Sequence, residues 1–216
     1  MTALVVFDCD GVLVQTEPGE TRAILTVARR YGFAATLDEG LALFRGRKLA
    51  EVATQIEHFL GGPLPDSFVP EVRDECARTV DRSSPPSPGV AAALSAMTLP
   101  SCVASSSPMP VIRARLGAAG LLRRFDSRVF SAYDVGSWKP DPGLFLHAAA
   151  ACGEDPAQCV VVEDSLVGVQ AALAAGMRAV FYGPERDALP ASPAVWPLAH
   201  MDGLLGLLDQ MSEVSA

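Results

Sequence analysis

Leu4-Val5-Val6-Phe7-Asp8-Cys9-Asp10-Gly11 is the stretch on which the fold turns. Four apolar residues, two acids flanking a cysteine, and a glycine describe a short strand, covered on both faces, that empties into a polar turn. Strands of that kind belong to parallel sheets, and the rest of the chain supplies neighbours. Ser101–Ala104, Arg128–Phe130, Val160–Val162 and Ala179–Tyr182 read as further strands, each short and nearly continuous in apolar character. Helical segments alternate with them, the pattern of an α/β protein. The first, second and fourth strands end in small polar or acidic residues, at the edge where open parallel sheets bind ligands.

From Gln15 to Ser84 the alternation stops and helical periodicity alone remains. Leu49, Val52, Ile56 and Phe59 recur at spacings of three and four, giving one apolar face that Gly61-Gly62-Pro63 closes. Thr21–Arg30 precedes that helix and stops near Gly32, while Val69, Val72, Cys76 and Val80 mark a later one. The segment leaves the sheet at Gln15-Thr16-Glu17-Pro18 and returns through the stiff, Pro-rich Arg82–Pro88, suited to a two-point hinge. The predicted fold is therefore a Rossmann-like parallel sheet with helices on both faces, comprising 1–14 and 85–216. An all-helical cap, 15–84, is inserted after the first strand. Ordinary helices packed on the sheet are the alternative.

With 216 residues, half of them hydrophobic, the chain can bury one core and carry a small insertion, which excludes wholesale disorder. Its 17 Lys and Arg against 25 Asp and Glu leave a net charge of −8, which argues against nucleic acid or an anionic membrane as partner. No basic region precedes the apolar run at Leu4, and the Ala- and Gly-rich stretch Leu166–Tyr182 reads as helix then strand rather than a membrane span. Cys9, Cys76, Cys102, Cys152 and Cys159 are odd in number and lack paired CxxC spacing, as expected of reduced thiols in the cytoplasm. The expected partner is a small molecule; the oligomeric state is open, with a monomer as the expectation.

Asp8 and Asp10 alone could be turn residues. Glu163-Asp164 at the end of the fourth strand changes that reading, because neighbouring parallel strands would bring up to four carboxylates to one edge. Such a cluster repels itself by several kcal/mol unless protons or a cation neutralise it. Hard oxygen donors favour Mg²⁺ over zinc, and His58, His147 and His200 are scattered and read as structural or exposed. In Val103-Ala104-Ser105-Ser106-Ser107-Pro108 a strand ends, hydroxyls follow and a helix begins, with Ser107 as N-cap and Pro108 at N1. A helix start of this kind suits an anion such as phosphate. Trp138-Lys139-Pro140-Asp141-Pro142 places Lys139, one of only two lysines, in an extended residue before a helix that Asp141 caps and that ends near Gly153.

These pieces, in this order, resemble the haloacid dehalogenase-like superfamily of phosphohydrolases. The matching residues are Asp8-Cys9-Asp10-Gly11-Val12-Leu13, Ser105, Lys139-Pro140-Asp141-Pro142 and Val161-Val162-Glu163-Asp164-Ser165. The helical insertion resembles the small cap of the phosphoglycolate phosphatase and β-phosphoglucomutase branch. Phe130-Ser131-Ala132-Tyr133-Asp134 through Pro142 looks most like bacterial sugar-phosphate phosphatases, 6-phosphogluconate phosphatases among them. The resemblance implies that Asp8 is the nucleophile, forming an aspartyl-phosphate, and that Asp10 is the acid and base. It implies Mg²⁺ held by Asp8, the Asp10 carbonyl and Asp164, with Glu163 close or linked through water. Ser105, with Ser106 beside it, would bind a phosphoryl oxygen, and Lys139 would offset the gathered negative charge.

Gln15 departs from the acidic residue that many relatives carry there, which bears on cap docking and not on the chemistry. In the cap, Arg45, Arg47 and Lys48 sit before a helix N-terminus, where cations oppose the macrodipole. Lys48 and Arg47 are therefore candidates to bind the far end of an anionic substrate; a solvated loop is the alternative. A Mg²⁺-dependent phosphatase of a sugar or sugar-acid phosphate is the leading reading, and a β-phosphoglucomutase-like mutase the second. Relatives that are mutases tend to have arginine where this chain has Leu49. A dehalogenase would lack the second acid, a phospho-accepting receiver domain would lack the cap, and a silent binding protein would have little use for every polar group. No dinucleotide, Walker or GxSxG motif is present. The Pro/Ala-rich stretch 184–197 reads as a covering loop.

Overall fold

Parallel strands need crossovers, and the crossovers decide which strand ends become neighbours. A computed structural model describes residues 1–44, 47, 49–183 and 189–213. The chain divides into two compact units, Met1–Val14 with Pro86–Ala216, and Gln15–Pro85. Helices α1 (Glu17–Ala28), α2 (Leu37–Phe44), α3 (Leu49–Leu60) and α4 (Phe68–Thr79) lie in the second. Helices α5 (Val90–Ala96), α6 (Met109–Ala118), α7 (Leu122–Phe125), α8 (Ala132–Val135), α9 (Gly143–Cys152), α10 (Leu166–Ala174) and α11 (Leu204–Glu213) lie in the first.

The first unit holds one sheet of β1 (Leu4–Phe7), β2 (Ser101–Ser105), β3 (Val129–Ser131), β4 (Cys159–Glu163), β5 (Arg178–Phe181) and β6 (Val195–Pro197). Their order is β3-β2-β1-β4-β5-β6, and every pairing is parallel. The chain builds outward from β1 to β3, then returns to the other side of β1 with β4. Strand order thus reverses at β1, and the crevice that such a switch opens lies at the carboxyl ends of β1 and β4.

Alternation along the strands feeds two cores. Val5, Phe7, Val103, Val160, Val162 and Val180 face Ile112, Leu116, Phe125, Leu204 and Leu208 of α6, α7 and α11. Leu4, Val6, Cys102, Ala104, Val161 and Ala179 face Leu144, Phe145, Ala148, Val169 and Ala172 of α9 and α10. Both faces are covered, so the strands read as apolar runs; each fully buried Val or Leu contributes about 1.5–3 kcal/mol.

The second unit has its own core of Leu25, Val27, Phe44, Val52, Ile56, Phe68 and Val72. Gln15 N donates to Pro85 O at 2.9 Å, drawing its two ends together. Phe59, expected on the buried face of α3, is 58% exposed, its ring tilted against that of Phe33 with centroids 5.7 Å apart.

Three local expectations shift. The stretch 184–197, read as a covering loop, contains β6 at its end, a short edge strand pairing Val195 with Ala179. Helix α6 starts at Met109, so Pro108 rather than Ser107 is its N-cap and the Ser107 hydroxyl is free for other work. Helix α9 starts at Gly143, and Asp141 accepts from Gly143 N at 2.8 Å and Ser137 Oγ at 2.7 Å, pinning the loop that carries Lys139. No described helix is long and apolar enough to cross a membrane.

Candidate active site

The β1 ladder extends one residue beyond the strand, because Asp8 N donates to Val162 O at 3.0 Å. That bond fixes the Asp8 side chain at the end of β1, 7% exposed, next to the end of β4. Gly11 then turns with φ +78°, a conformation L side chains rarely adopt. A Cβ on Gly11 would lie 1.8 Å from Asp164 Oδ2, so glycine here lets the Asp164 carboxylate press against the turn. Gly168 does the same for Glu163, whose carboxyl carbon would lie 1.9 Å from a Cβ at that position.

Lys139 reaches into this acid cluster from the loop between α8 and α9. Its Nζ donates to Asp8 Oδ1 at 2.5 Å and to Glu163 Oε1, with the ring of Phe145 beneath it, 5.1 Å to the centroid. The remaining Glu163 oxygen, Oε2, accepts from Ser165 N at 3.0 Å and Ser165 Oγ at 2.8 Å. Ser165 also caps α10, accepting from Gly168 N at 3.1 Å. Glu163 is thereby held from both sides and orients Lys139, while Asp164 keeps the more open position.

Asp8, Glu163 and Asp164 each present an oxygen within 4.8 Å of the others, the one group of His, Cys, Asp and Glu among the described residues with the spacing to hold a metal ion. Burial pushes the Asp8 carboxyl up to about 7; Lys139 pulls the other way, and Glu163 and Asp10 add repulsion. Burial, then Glu163 and Asp8, raise Asp164 well above the usual carboxylate range. For Lys139, burial favours the neutral amine, yet Asp8 and Glu163 outweigh it and hold the ammonium charged. One lysine thus leaves three carboxylates under-neutralised, and a hard dication suits a donor set of oxygens alone.

Across the crevice, β2 ends at Ser105, 2% exposed, whose Oγ accepts from Ser107 N at 3.1 Å. Ser106 is exposed at the same loop. Asp10 lies beyond Asp8 in the turn. Its Oδ2 accepts from Ser107 Oγ at 3.0 Å, and its Oδ1 accepts from Arg115 Nη1 at 2.7 Å. Arg115 is a contact that sequence reading missed. The available signal was its place on α6, three residues after Ile112 and one before Leu116, both buried: a cation on an apolar face needs a partner.

Asp8, Asp10, Ser105, Lys139, Glu163 and Asp164 thus gather at the carboxyl ends of β1, β2 and β4. His58, His147 and His200 are exposed. Arg47 belongs to the other unit, is exposed, and donates from Nε to Leu43 O at 3.0 Å; Arg45 and Lys48 lie outside the described residues.

A buried acid pair, a charge-offsetting ammonium and a serine at the next strand end can receive a phosphoryl group, provided cations offset the charge it brings. The family model for haloacid dehalogenase-like hydrolases matches residues 2–176. The 6-phosphogluconate phosphatase of Escherichia coli (strain K12) is 34% identical over 93% of this chain and 91% of its own length. Hexitol phosphatase A of the same organism is 35% identical over 84% of this chain and 83% of its own. A solved haloacid dehalogenase-like protein of unknown function from Agrobacterium tumefaciens str. C58 superposes with a TM-score of 0.88 at 31% identity, covering 98% of this chain and 100% of that one.

Proposed function

The chain belongs to the haloacid dehalogenase-like hydrolase family, and on that footing we propose that it is a phosphomonoesterase. It acts on a small phosphorylated sugar or sugar acid, with Mg²⁺ and a covalent phosphoryl group on Asp8. The observation that carries the reading is Lys139 Nζ bound to both Asp8 and Glu163 at the strand ends, with Asp164 beside them. That arrangement leaves the Asp8 carboxylate as a nucleophile beside cationic charge, where an anionic phosphate can be approached.

The Asp8 and Asp164 carboxylates and the Asp10 carbonyl are the groups to hold Mg²⁺, with Glu163 near. When bound, the ion offsets negative charge that builds up on the phosphoryl oxygens. Asp8 attacks phosphorus in line and the ester P–O bond breaks, with Asp10 passing a proton to the departing oxygen. Water then cleaves the phosphoryl group from Asp8, and Asp10 takes up the proton. Ser105, with Ser106 at the loop, hydrogen-bonds a phosphoryl oxygen, and Lys139 pulls Asp8 towards its ionised form against the effect of burial. The five free cysteines suit a cytoplasmic setting.

The mutase reading has less support. Leu49, at the position where mutase relatives carry arginine, packs against the core of its own unit and supplies no charge.

The test is phosphate release from a panel of sugar, sugar-acid and glycolytic phosphates, with Mg²⁺ or with chelator. Release that requires Mg²⁺ and ranks sugar and sugar-acid phosphates first is expected. No release from any of them, with conversion of β-glucose 1-phosphate instead, would transfer the assignment to a mutase. Arg47 and Lys48 are part of the proposal as ligands for the substrate's far end. Neutralising both (Arg47→Gln with Lys48→Gln) is expected to lower kcat/KM on the best substrate by about tenfold or more, through KM. An unchanged kcat/KM would remove them from the site.

A further inference from the structure

Arg115 is a costly residue for the place it occupies. It is 5% exposed on α6, between Ile112 and Leu116, which are fully buried. A Leu or Met there would continue the apolar face without desolvating a charge. The guanidinium instead donates from Nη1 to Asp10 Oδ1 at 2.7 Å, while Ser107 Oγ donates to Oδ2 at 3.0 Å. Each oxygen of the Asp10 carboxylate therefore has its own donor, and the plane of the group is set by two anchors on different elements.

Those anchors are themselves held. Ser107 N donates to Ser105 Oγ at 3.1 Å, and Ser107 O accepts from Ser131 Oγ at 2.8 Å, at the end of β3. Arg115 is anchored by the helix and by the packed core around it. Guanidinium suits this task because its planar fork fixes direction as well as charge, which a flexible ammonium would not.

We propose that Arg115, together with Ser107, is the positioning residue for Asp10, setting the carboxyl that carries protons in both half-reactions. This rests on the hydrolase reading above. In the first half-reaction, Asp8 forms its bond to phosphorus as the ester P–O bond breaks, and the departing oxygen takes the Asp10 proton. In the second, water forms the new P–O bond, its proton goes to Asp10, and the bond between Asp8 and phosphorus breaks to restore the carboxylate. The bond from Arg115 Nη1 to Asp10 Oδ1 is the route by which Arg115 acts on the reaction.

p-Nitrophenyl phosphate separates positioning from simple structural support. Nitrophenolate leaves without a proton, so the first half-reaction bypasses Asp10, whereas hydrolysis of the phosphorylated Asp8 still needs it. With Mg²⁺, rapid mixing of Arg115→Met is expected to give a burst of about one nitrophenolate per chain. A steady state about 10–100-fold below that of the unmodified protein should follow. Ser107→Ala, which removes the smaller anchor and leaves the core intact, is expected to show the same split to a lesser degree. Arg115→Lys should recover part of the steady rate. Burst and steady state slowed by the same factor, or a steady state within about twofold of normal in both variants, would overturn the proposal. If the unmodified protein itself released no nitrophenolate, the hydrolase reading would fall, and this inference with it.

Discussion

Asp8→Asn is expected to abolish phosphate release, by a factor on the order of 10⁴ or more, and at the same time to stabilise the protein. The first effect follows from losing the nucleophile. The second follows from the state of the carboxyl in the fold, where burial raises it from an ordinary 3.8 to about 7 against the pull of Lys139. Between those two values the folded chain binds more protons than the unfolded chain. Stability therefore falls as pH rises from about 4 to about 7, and stays at the lower level above. Asparagine carries no charge to desolvate, so the variant lacks that fall. Its gain in melting temperature should be small at pH 5 and full at pH 8. Mg²⁺ at pH 8 should raise the melting temperature of the unmodified protein well beyond that of the variant, since the ion binds only the folded acid cluster. Thermal unfolding at the two pH values, with and without Mg²⁺, checks each part. A variant that kept activity would remove Asp8 as nucleophile, and one with no pH-dependent gain would mean that Asp8 is not strained by its burial. Wild-type instability at this position is the cost of keeping a reactive carboxylate under cover.

What was legible in the sequence divides along physical lines. Leu4–Phe7 and the β2, β4 and β5 runs were readable because a strand covered on both faces must be apolar throughout. The acids and serines at their ends followed from the strand-to-turn switch. Asp8, Ser105 and Glu163 come together because β1 pairs with both β2 and β4; the alternation of strands and helices implied a parallel sheet but not this order. β6 was hidden because three residues ending in Pro197 carry too short a pattern, and their strand character comes from pairing with β5. Helix α2 escaped because Gly40 reads as a break. A Cβ at Gly40 would lie 2.8 Å from Thr21 Cγ2 and 2.9 Å from Leu25 Cδ1, so the glycine is there for close approach to α1. Ser107 was read as a cap because serine before proline has that local preference. The structure moves the helix start by one residue and turns the hydroxyl to Asp10, a long-range partner that no local rule supplies. Arg115 and Arg113 look alike in sequence, and only the helical phase, set by Ile112 and Leu116, distinguishes the buried one.

Lys139→Met is the complementary experiment, because it removes the cation and leaves the acids. Lys139 has 5% of its side chain exposed, with Asp8 on one side and Glu163 on the other. Methionine fills the space over Phe145, so packing is nearly conserved and the loss is electrostatic. Breaking a buried ion pair from one side costs about 3–5 kcal/mol, since the partner charges remain desolvated. Here three carboxylates share the loss, and they answer it by taking up protons, as Asp8 and Asp164 already tend to do. The penalty should therefore be large at pH 8 and much reduced at pH 5. Lys139 itself does not shape that window. Its folded value lies above the ordinary 10.5, so its own contribution is present throughout and is lost only as pH climbs beyond that value. Mg²⁺ should restore part of the stability by returning positive charge to the cluster. It should not restore turnover, expected to fall about 10²–10³-fold, because the charge beside Asp8 is no longer in place. Lys139→Arg keeps the charge but spreads it over a plane too wide for a point contact between two carboxylates, and is expected to recover stability without activity. Equal penalties at pH 5 and pH 8 would show that the lysine's packing, and not its charge, holds this end of the sheet together.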